Sequence, residues 1–219
     1  MVSQDVLIEC LESPDVAKSE SGKLTSGSIT DLATEIRSHP TSPKCQVVAI
    51  SGFLGAGKST VARELQAILD DAAIICVDDF IVDQLQGSLR CWNDIDWGRL
   101  VEEVLRPIQQ GSDNIAYGVY DWTQNNITDS RALKVPKYLI LEGVGLLRSE
   151  LIQFYNCTVW LDVPFDVAMA RGRKRDCEQY HIDFVQRWQD ICSVNDNEYF
   201  ELYRPLELAD FILVNGTAD

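Results

Sequence analysis

The 219-residue chain is 46% hydrophobic and carries 34 acidic against 19 basic residues, a formal net charge of −15. That length and apolar content allow a sizeable core, while the negative field argues against nucleic-acid and anionic-membrane partners. The seven cysteines form no C-x-x-C pair and no zinc-type spacing, so reduced, mostly buried thiols and a cytoplasmic location are expected.

The opening residues Met1-Val2-Ser3-Gln4-Asp5 lack a basic n-region, so no signal peptide is expected. No run of about eighteen apolar residues marks a membrane span. Residues 1–44 read as an N-terminal tail with one short helix, and 45–219 as the main domain. In the tail, Val6-Leu7-Ile8 with Leu11 is a short amphipathic stretch, and 19–23 reads as a linker. Ser28 begins a helix, with Asp31 three residues on as a capping partner. Ile29, Leu32, Ala33 and Ile36 share its face, and His39-Pro40 ends it. His39 reads as a helix-end residue rather than a base.

Val47-Val48-Ala49-Ile50 is a continuous apolar run, the pattern of a strand buried on both faces. Glycines follow, then a helical pattern through Val61, Leu65, Ile68 and Leu69. Further strands are expected over 73–77, 138–141, 158–161 and 211–214, and helices over 96–110, from Pro164 and over 182–203. Alternating strands and helices imply a parallel sheet covered on both faces. Ligands in such folds bind beyond the carboxyl ends of the strands. Ser51-Gly52, Asp78-Asp79 and Glu142 all follow strand ends.

The segment Gly52-Phe53-Leu54-Gly55-Ala56-Gly57-Lys58-Ser59-Thr60 fits G-x-x-x-x-G-K-[ST] between a buried strand and a helix. Glycines let backbone N–H groups turn inward around a phosphate, and the helix adds its positive N-terminal end. Gly52, Gly55, Ala56, Gly57, Lys58, Ser59 and Thr60 are therefore the nucleotide-binding residues. Lys58 reaches the β- and γ-phosphates, and the Ser59 hydroxyl is placed to ligate Mg²⁺. Asp78, at a strand end, either accepts a proton from an attacking hydroxyl or caps a helix. Glu142 is placed to bind Mg²⁺ through water, with a solvated surface acid as the alternative. Arg171, Arg173, Lys174 and Arg175 put four cations within five residues. They can neutralise charge on a transferring phosphoryl group or complement a helix C-terminus. Asp94, Tyr120 and Asp121 can bond a polyhydroxyl substrate, with Trp92 or Trp122 stacking on a ring. Aromatic core packing is the alternative for these tryptophans.

Taken in order, the loop, Asp78-Asp79-Phe80, Tyr120-Asp121-Trp122 and Glu142-Gly143-Val144 resemble the uridine kinase-like group of P-loop small-molecule kinases. The resemblance covers about residues 28–216 and includes the closing Ala209-Asp210-Phe211-Ile212. It implies an α/β P-loop NTPase three-layer sandwich. The sheet would have five parallel strands in the order 2-3-1-4-5, and an Arg-containing lid at 166–176 would carry Arg171 and Arg175. It also implies ATP and Mg²⁺ as cofactors and a small-molecule phosphate acceptor, with the chain a monomer or homodimer. Asp78 takes the role of proposed base, with Lys58, Arg171 and Arg175 stabilising the transition state. Uridine kinases follow their Tyr-Asp-Phe with a His and an Arg, whereas Thr123-Gln124-Asn125-Asn126 stands here, so uridine itself is not implied. The same loop wording occurs in GTPases that insert metals, but their clustered cysteines and Asn-Lys-x-Asp motif are absent. A nucleotide-binding ATPase or regulatory module without small-molecule transfer is the alternative reading.

Overall fold

A computed structural model of the chain describes residues 23–39, 44–82, 90–180 and 188–215. The amphipathic stretch at 6–11, most of the 19–23 linker and the first part of the helix expected over 182–203 lie outside the described residues. In chain order the strands are β1 (Leu24–Ser26), β2 (Gln46–Ser51), β3 (Ala72–Cys76), β4 (Asn114–Asp121), β5 (Asn126–Lys134), β6 (Tyr138–Glu142), β7 (Cys157–Asp162) and β8 (Phe211–Val214). The main sheet runs β1-β8-β7-β2-β6-β3 and is parallel throughout. The five strands expected from sequence stand in the expected order. The strand count is corrected from five to six, because Leu24–Ser26 adds an edge strand in register with Phe211–Leu213. That strand is three polar or half-buried residues long, too short to carry an alternation signal.

Every residue of β2 and of β6 is buried, as central strands flanked on both sides require. Helix α1 (Ile29–Ser38) starts where Ser28 Oγ accepts from the amides of Thr30 and Asp31. Asp31 does not return the bond to Ser28. It accepts from the Ser26 hydroxyl, and Ser26 Oγ takes the Ser28 amide instead. Leu32, Ala33 and Ile36 are fully buried, each such aliphatic side chain contributing about 1.5–3 kcal/mol for Leu and Ile. Gln46 ties the helix end to β2 by donating to the carbonyls of Ile36 and His39 at 2.8 Å. Thus residues 24–39 pack on the main sheet. Helix α2 (Lys58–Ile68) buries Val61, Ala62 and Leu65 and lies beside α1, with Arg37 donating to the Ile68 carbonyl.

Helix α3 covers 97–109, with Asp96 as N-cap and Gly111 just beyond its end at φ +81°. Its centre, Leu100–Leu105, is π-helical. Pro107 has no N–H to give and its ring crowds the preceding turn, which accounts for the widened helix. Strands β4 and β5 form an antiparallel hairpin that the sequence reading did not anticipate. The alternation of Ile115 and Tyr117, both buried, with exposed Asn114 and Ala116 was its available signal. Strand β5 is almost wholly exposed and polar, which hides it. The hairpin packs over the one-turn helix Val77–Phe80: Phe80 stacks on Tyr117 at 5.3 Å between centroids, and Arg131 donates to Asp79 at 2.9 Å. Helix α4 (Phe165–Tyr180) follows β7, and α5 (Ser193–Tyr203) precedes β8. No described helix is long and apolar enough to cross a membrane.

Candidate active site

Strand β2 delivers the chain into the glycine loop, and Gly55 and Gly57 take φ of +85° and +95°. These are left-handed turns that glycine adopts without steric cost. Helix α2 begins at Lys58, so its N-terminal amides face the same space. A cavity of about 450 Å³ opens here, lined by Gly55, Gly57, Lys58, Ser59 and Thr60 of the predicted set. Gly52 and Ala56 are not among its lining residues. They hold the loop's shape instead. A Cβ on Gly52 would lie 2.9 Å from the Leu161 carbonyl, and the Ala56 carbonyl accepts from Asn215 Nδ2 at 3.0 Å. Behind the loop, the Phe53 ring meets Trp160 and Phe165 edge-on at 5.2 and 5.1 Å. Helix α4 presses on the outer side: a Cβ on Gly55 would sit 2.1 Å from the Ala168 carbonyl and 2.7 Å from the Gly172 amide. Gly55→Ala is therefore expected to cost about 3 kcal/mol from strain and overpacking together. Thermal unfolding monitored by circular dichroism checks this, as a clear drop in Tm.

The charged groups sort by sign. Lys58, Arg171 and Arg175 line the cavity as cations, and Asp78 and Glu142 as acids. Lys58 is buried and donates to the carbonyls of Gly52 and Phe53 at 3.1 and 2.8 Å. Burial pulls its pKa down, while Asp196, Glu142 and Asp78 resist that and favour the ammonium. Ser59 Oγ donates to Glu142 Oε1 at 3.0 Å, a pairing of distant residues that the sequence placed on one ion. Glu142 stands level with Ile50 of β2 and Cys76 of β3, so the register of three strands puts its carboxylate beside the loop. Two hard oxygen donors next to a phosphate site suit Mg²⁺, which takes few protein ligands and keeps several waters. Among the described residues there is no cluster of three or more His, Cys, Asp or Glu that could cage a metal.

Asp78 lies inside the Val77–Phe80 turn, whose N-cap is Cys76 with no side-chain bond, so it is not the cap of that turn. It opens onto the cavity rather than being sealed in the core. Poor hydration in the cleft pushes its pKa up to about 6, with Glu142 and Asp79 adding and Lys58 and Arg175 opposing. A carboxylate poised there suits proton transfer near neutral pH. Cys76 also lines the cavity, but burial holds its thiol protonated. The six described cysteines are all free thiols.

The expected acceptor residues stand apart from this cavity. Asp94, Tyr120 and Asp121 are not among its lining residues. Tyr120 is buried and donates to the Asn125 side-chain oxygen. The Asp121 carboxylate closes the β4–β5 turn, accepting from the amides of Thr123 at 2.7 Å and Gln124 at 3.1 Å. Those two N–H groups hold its pKa below the usual carboxylate range. Trp122 is exposed at the hairpin tip, while Trp92 is buried.

Three contributors were missed by sequence reasoning. Asp196, on α5 and 1% exposed, accepts from the Leu54 amide of the loop at 2.6 Å. Asn215, directly after β8, clamps Ala56 and accepts from Arg171 Nη1 at 3.2 Å. Arg148, 1% exposed, lies between the rings of Trp97 and Tyr203 at 4.4 and 4.5 Å and donates to the Gly145 carbonyl and Tyr203 hydroxyl. Only the position of Asn215 just past a strand end gave any signal in the sequence.

No protein-family model matches the chain. It is 30% identical over 200 residues to a uridine kinase of Tolumonas auensis, covering 80% of this chain and 89% of that protein. It is 32% identical over 147 residues to a uridine kinase of Haemophilus ducreyi, covering 60% and 67% respectively. A possible uridine kinase from Bacillus stearothermophilus shares the fold, with a TM-score of 0.63 at 22% identity, over 84% of this chain and 96% of that one. With a strand–loop–helix phosphate cradle, Glu142 level with it and the parallel strand order of that fold, the chain belongs to the uridine kinase-like family of P-loop kinases.

Proposed function

We propose that the protein transfers the γ-phosphoryl group of ATP to a hydroxyl of a small molecule, nucleoside-like or another polyhydroxyl compound. The observation that carries this reading is the convergence in one cavity of the loop with Lys58, the Ser59–Glu142 pair, the Asp78 carboxylate and the arginines of α4. Loop amides and the N-terminus of α2 hold the phosphates. Ser59 and Glu142 would hold Mg²⁺, which when bound neutralises phosphate charge. Asp78 orients the acceptor hydroxyl and takes its proton. The hydroxyl oxygen bonds to the γ-phosphorus as the bond from phosphorus to the β–γ bridging oxygen breaks, and ADP leaves. Lys58, Arg171 and Arg175 stabilise the charge spread over the transferring group. Lid closure by the Arg171–Arg175 segment excludes water and limits wasteful hydrolysis. Asn93-Asp94 and Tyr120-Asp121, which do not line the cavity, would meet only the part of an acceptor that extends beyond it, and the free thiols of the described cysteines fit a cytoplasmic enzyme.

The test is ADP release with a panel of nucleosides, vitamins and sugars. Release that depends on an acceptor and is lost in Asp78→Asn supports a kinase. Acceptor-independent hydrolysis that survives Asp78→Asn sinks the role of Asp78 and favours a plain ATPase.

A further inference from the structure

Asp196 is buried, charged and outside the phosphotransfer steps, yet both of its oxygens are committed. Oδ2 accepts from the amide of Leu54, a residue lining the cavity, at 2.6 Å. Oδ1 accepts from the indole Nε1 of Trp92 at 2.8 Å. The neighbouring Asn195 Oδ1 accepts from the Trp92 amide at 3.0 Å. Cys91 and Trp92 both adopt left-handed backbone, φ +56° and +58°, which residues with side chains adopt only at a cost. Arg148 also grips this pair through the Cys91 carbonyl.

The segment beyond Trp92 leads back to the proposed base. Val82 donates to the Asp94 carbonyl at 2.9 Å and Asp96 to the Phe80 carbonyl at 2.8 Å, so 94–96 pairs with the backbone leaving the Asp78 turn. A continuous path of hydrogen-bonded groups therefore runs from Leu54 through Asp196 and Trp92 to the stretch after Asp78. Its first span joins residues 142 positions apart.

We propose that Asp196 is a positioning residue that links the phosphate loop, through Trp92, to the segment bracing the Asp78 turn, so that nucleotide binding and the acceptor side are set together. This rests on the phosphotransfer reading above. A carboxylate is needed because two donors converge on it. An asparagine offers one acceptor oxygen, and its NH₂ group then faces the other donor, so Asp196→Asn breaks one of the two bonds. Trp92→Phe keeps a smaller aromatic ring in the same place and removes the indole N–H bond to Asp196.

The experiment follows the indole N–H signals of the five tryptophans in ¹⁵N-labelled full-length protein titrated with MgADP, assigning Trp92 by its absence in Trp92→Phe. In the wild type the Trp92 signal shifts as MgADP saturates, although Trp92 does not line the cavity. In Asp196→Asn that shift is lost or falls to less than about a third at saturation, with the other indole signals retained as a check on folding. Calorimetry then finds MgADP binding to Trp92→Phe weakened roughly tenfold, because the competent loop is less populated. This variant decides the matter if Asp196→Asn does not fold. A Trp92 signal indifferent to saturating MgADP in the wild type overturns the link. So does an equal response in Asp196→Asn, or wild-type MgADP affinity in Trp92→Phe. Wild-type protein that binds no MgADP at all instead overturns the phosphotransfer reading, and the link falls with it.

Discussion

Asp78→Asn is expected to lower acceptor-dependent ADP release by about 10²- to 10⁴-fold, the range of a lost general base, while leaving nucleotide affinity nearly unchanged. If Asp78 is the base, as proposed, the same residue sets the pH profile. Asp78 accepts a proton only when ionised, and its pKa is pushed up to about 6. Wild-type activity therefore rises with pH to a plateau above about 6 and falls about tenfold per unit below it, and the acid limb disappears in Asp78→Asn. The stability effect runs the other way. A carboxyl whose folded pKa exceeds its unfolded value of 3.8 contributes stability that is complete below that value and lost as pH rises through about 6. Because the group faces cleft water, the loss is screened to about 1 kcal/mol at pH 8. The nucleotide-free Asn variant should thus melt about 3 °C higher than wild type at pH 8, and the gap should close toward pH 4. Lower activity with a higher Tm separates a base from a merely structural aspartate, whose loss would lower both.

Lys58→Met is expected to weaken ATP and ADP binding by about thirtyfold or more, since truncating one partner of a buried charge pair costs about 2–5 kcal/mol. The lysine is buried and bonds the loop carbonyls of Gly52 and Phe53. It also supplies positive charge opposite Asp196, Glu142 and Asp78. Methionine keeps much of the side-chain volume, so the loss falls on charge and phosphate contact rather than on packing. Calorimetric titration with MgADP measures it directly. Wild-type affinity in this variant would remove the phosphate-site reading of the loop altogether.

The two residues differ in how visible they were. Lys58 sits in a contiguous pattern whose strand, turn and helix are all local, and each part announces itself through apolar runs, glycines and helical spacing. Asp78 is visible as a strand-end carboxylate, with capping and catalysis equally open in the sequence; the structure shows that it does not cap its turn and that it lines one cavity with Lys58 and Glu142. The β4–β5 hairpin gave Asp121 a local task at its turn, which the motif Tyr120-Asp121-Trp122 could not disclose. The 23–39 region carries little local signal for a strand, because Leu24–Ser26 is only three residues long. Its place on the sheet depends on pairing with β8 near the other end of the chain.

The parallel α/β architecture and the phosphate loop are legible from local pattern, because buried strands and glycine turns are dictated by neighbouring residues, whereas the order of the five strands came from the family resemblance and not from any local signal. The pairing of Ser59 with Glu142, the clamp of Asn215 on the loop and the junction of Leu54 with Trp92 through Asp196 come from the folded arrangement alone. Those contacts unite residues far apart in the chain. A polar residue in a helix carries no local mark of whether it faces water or is buried against the backbone of a distant loop.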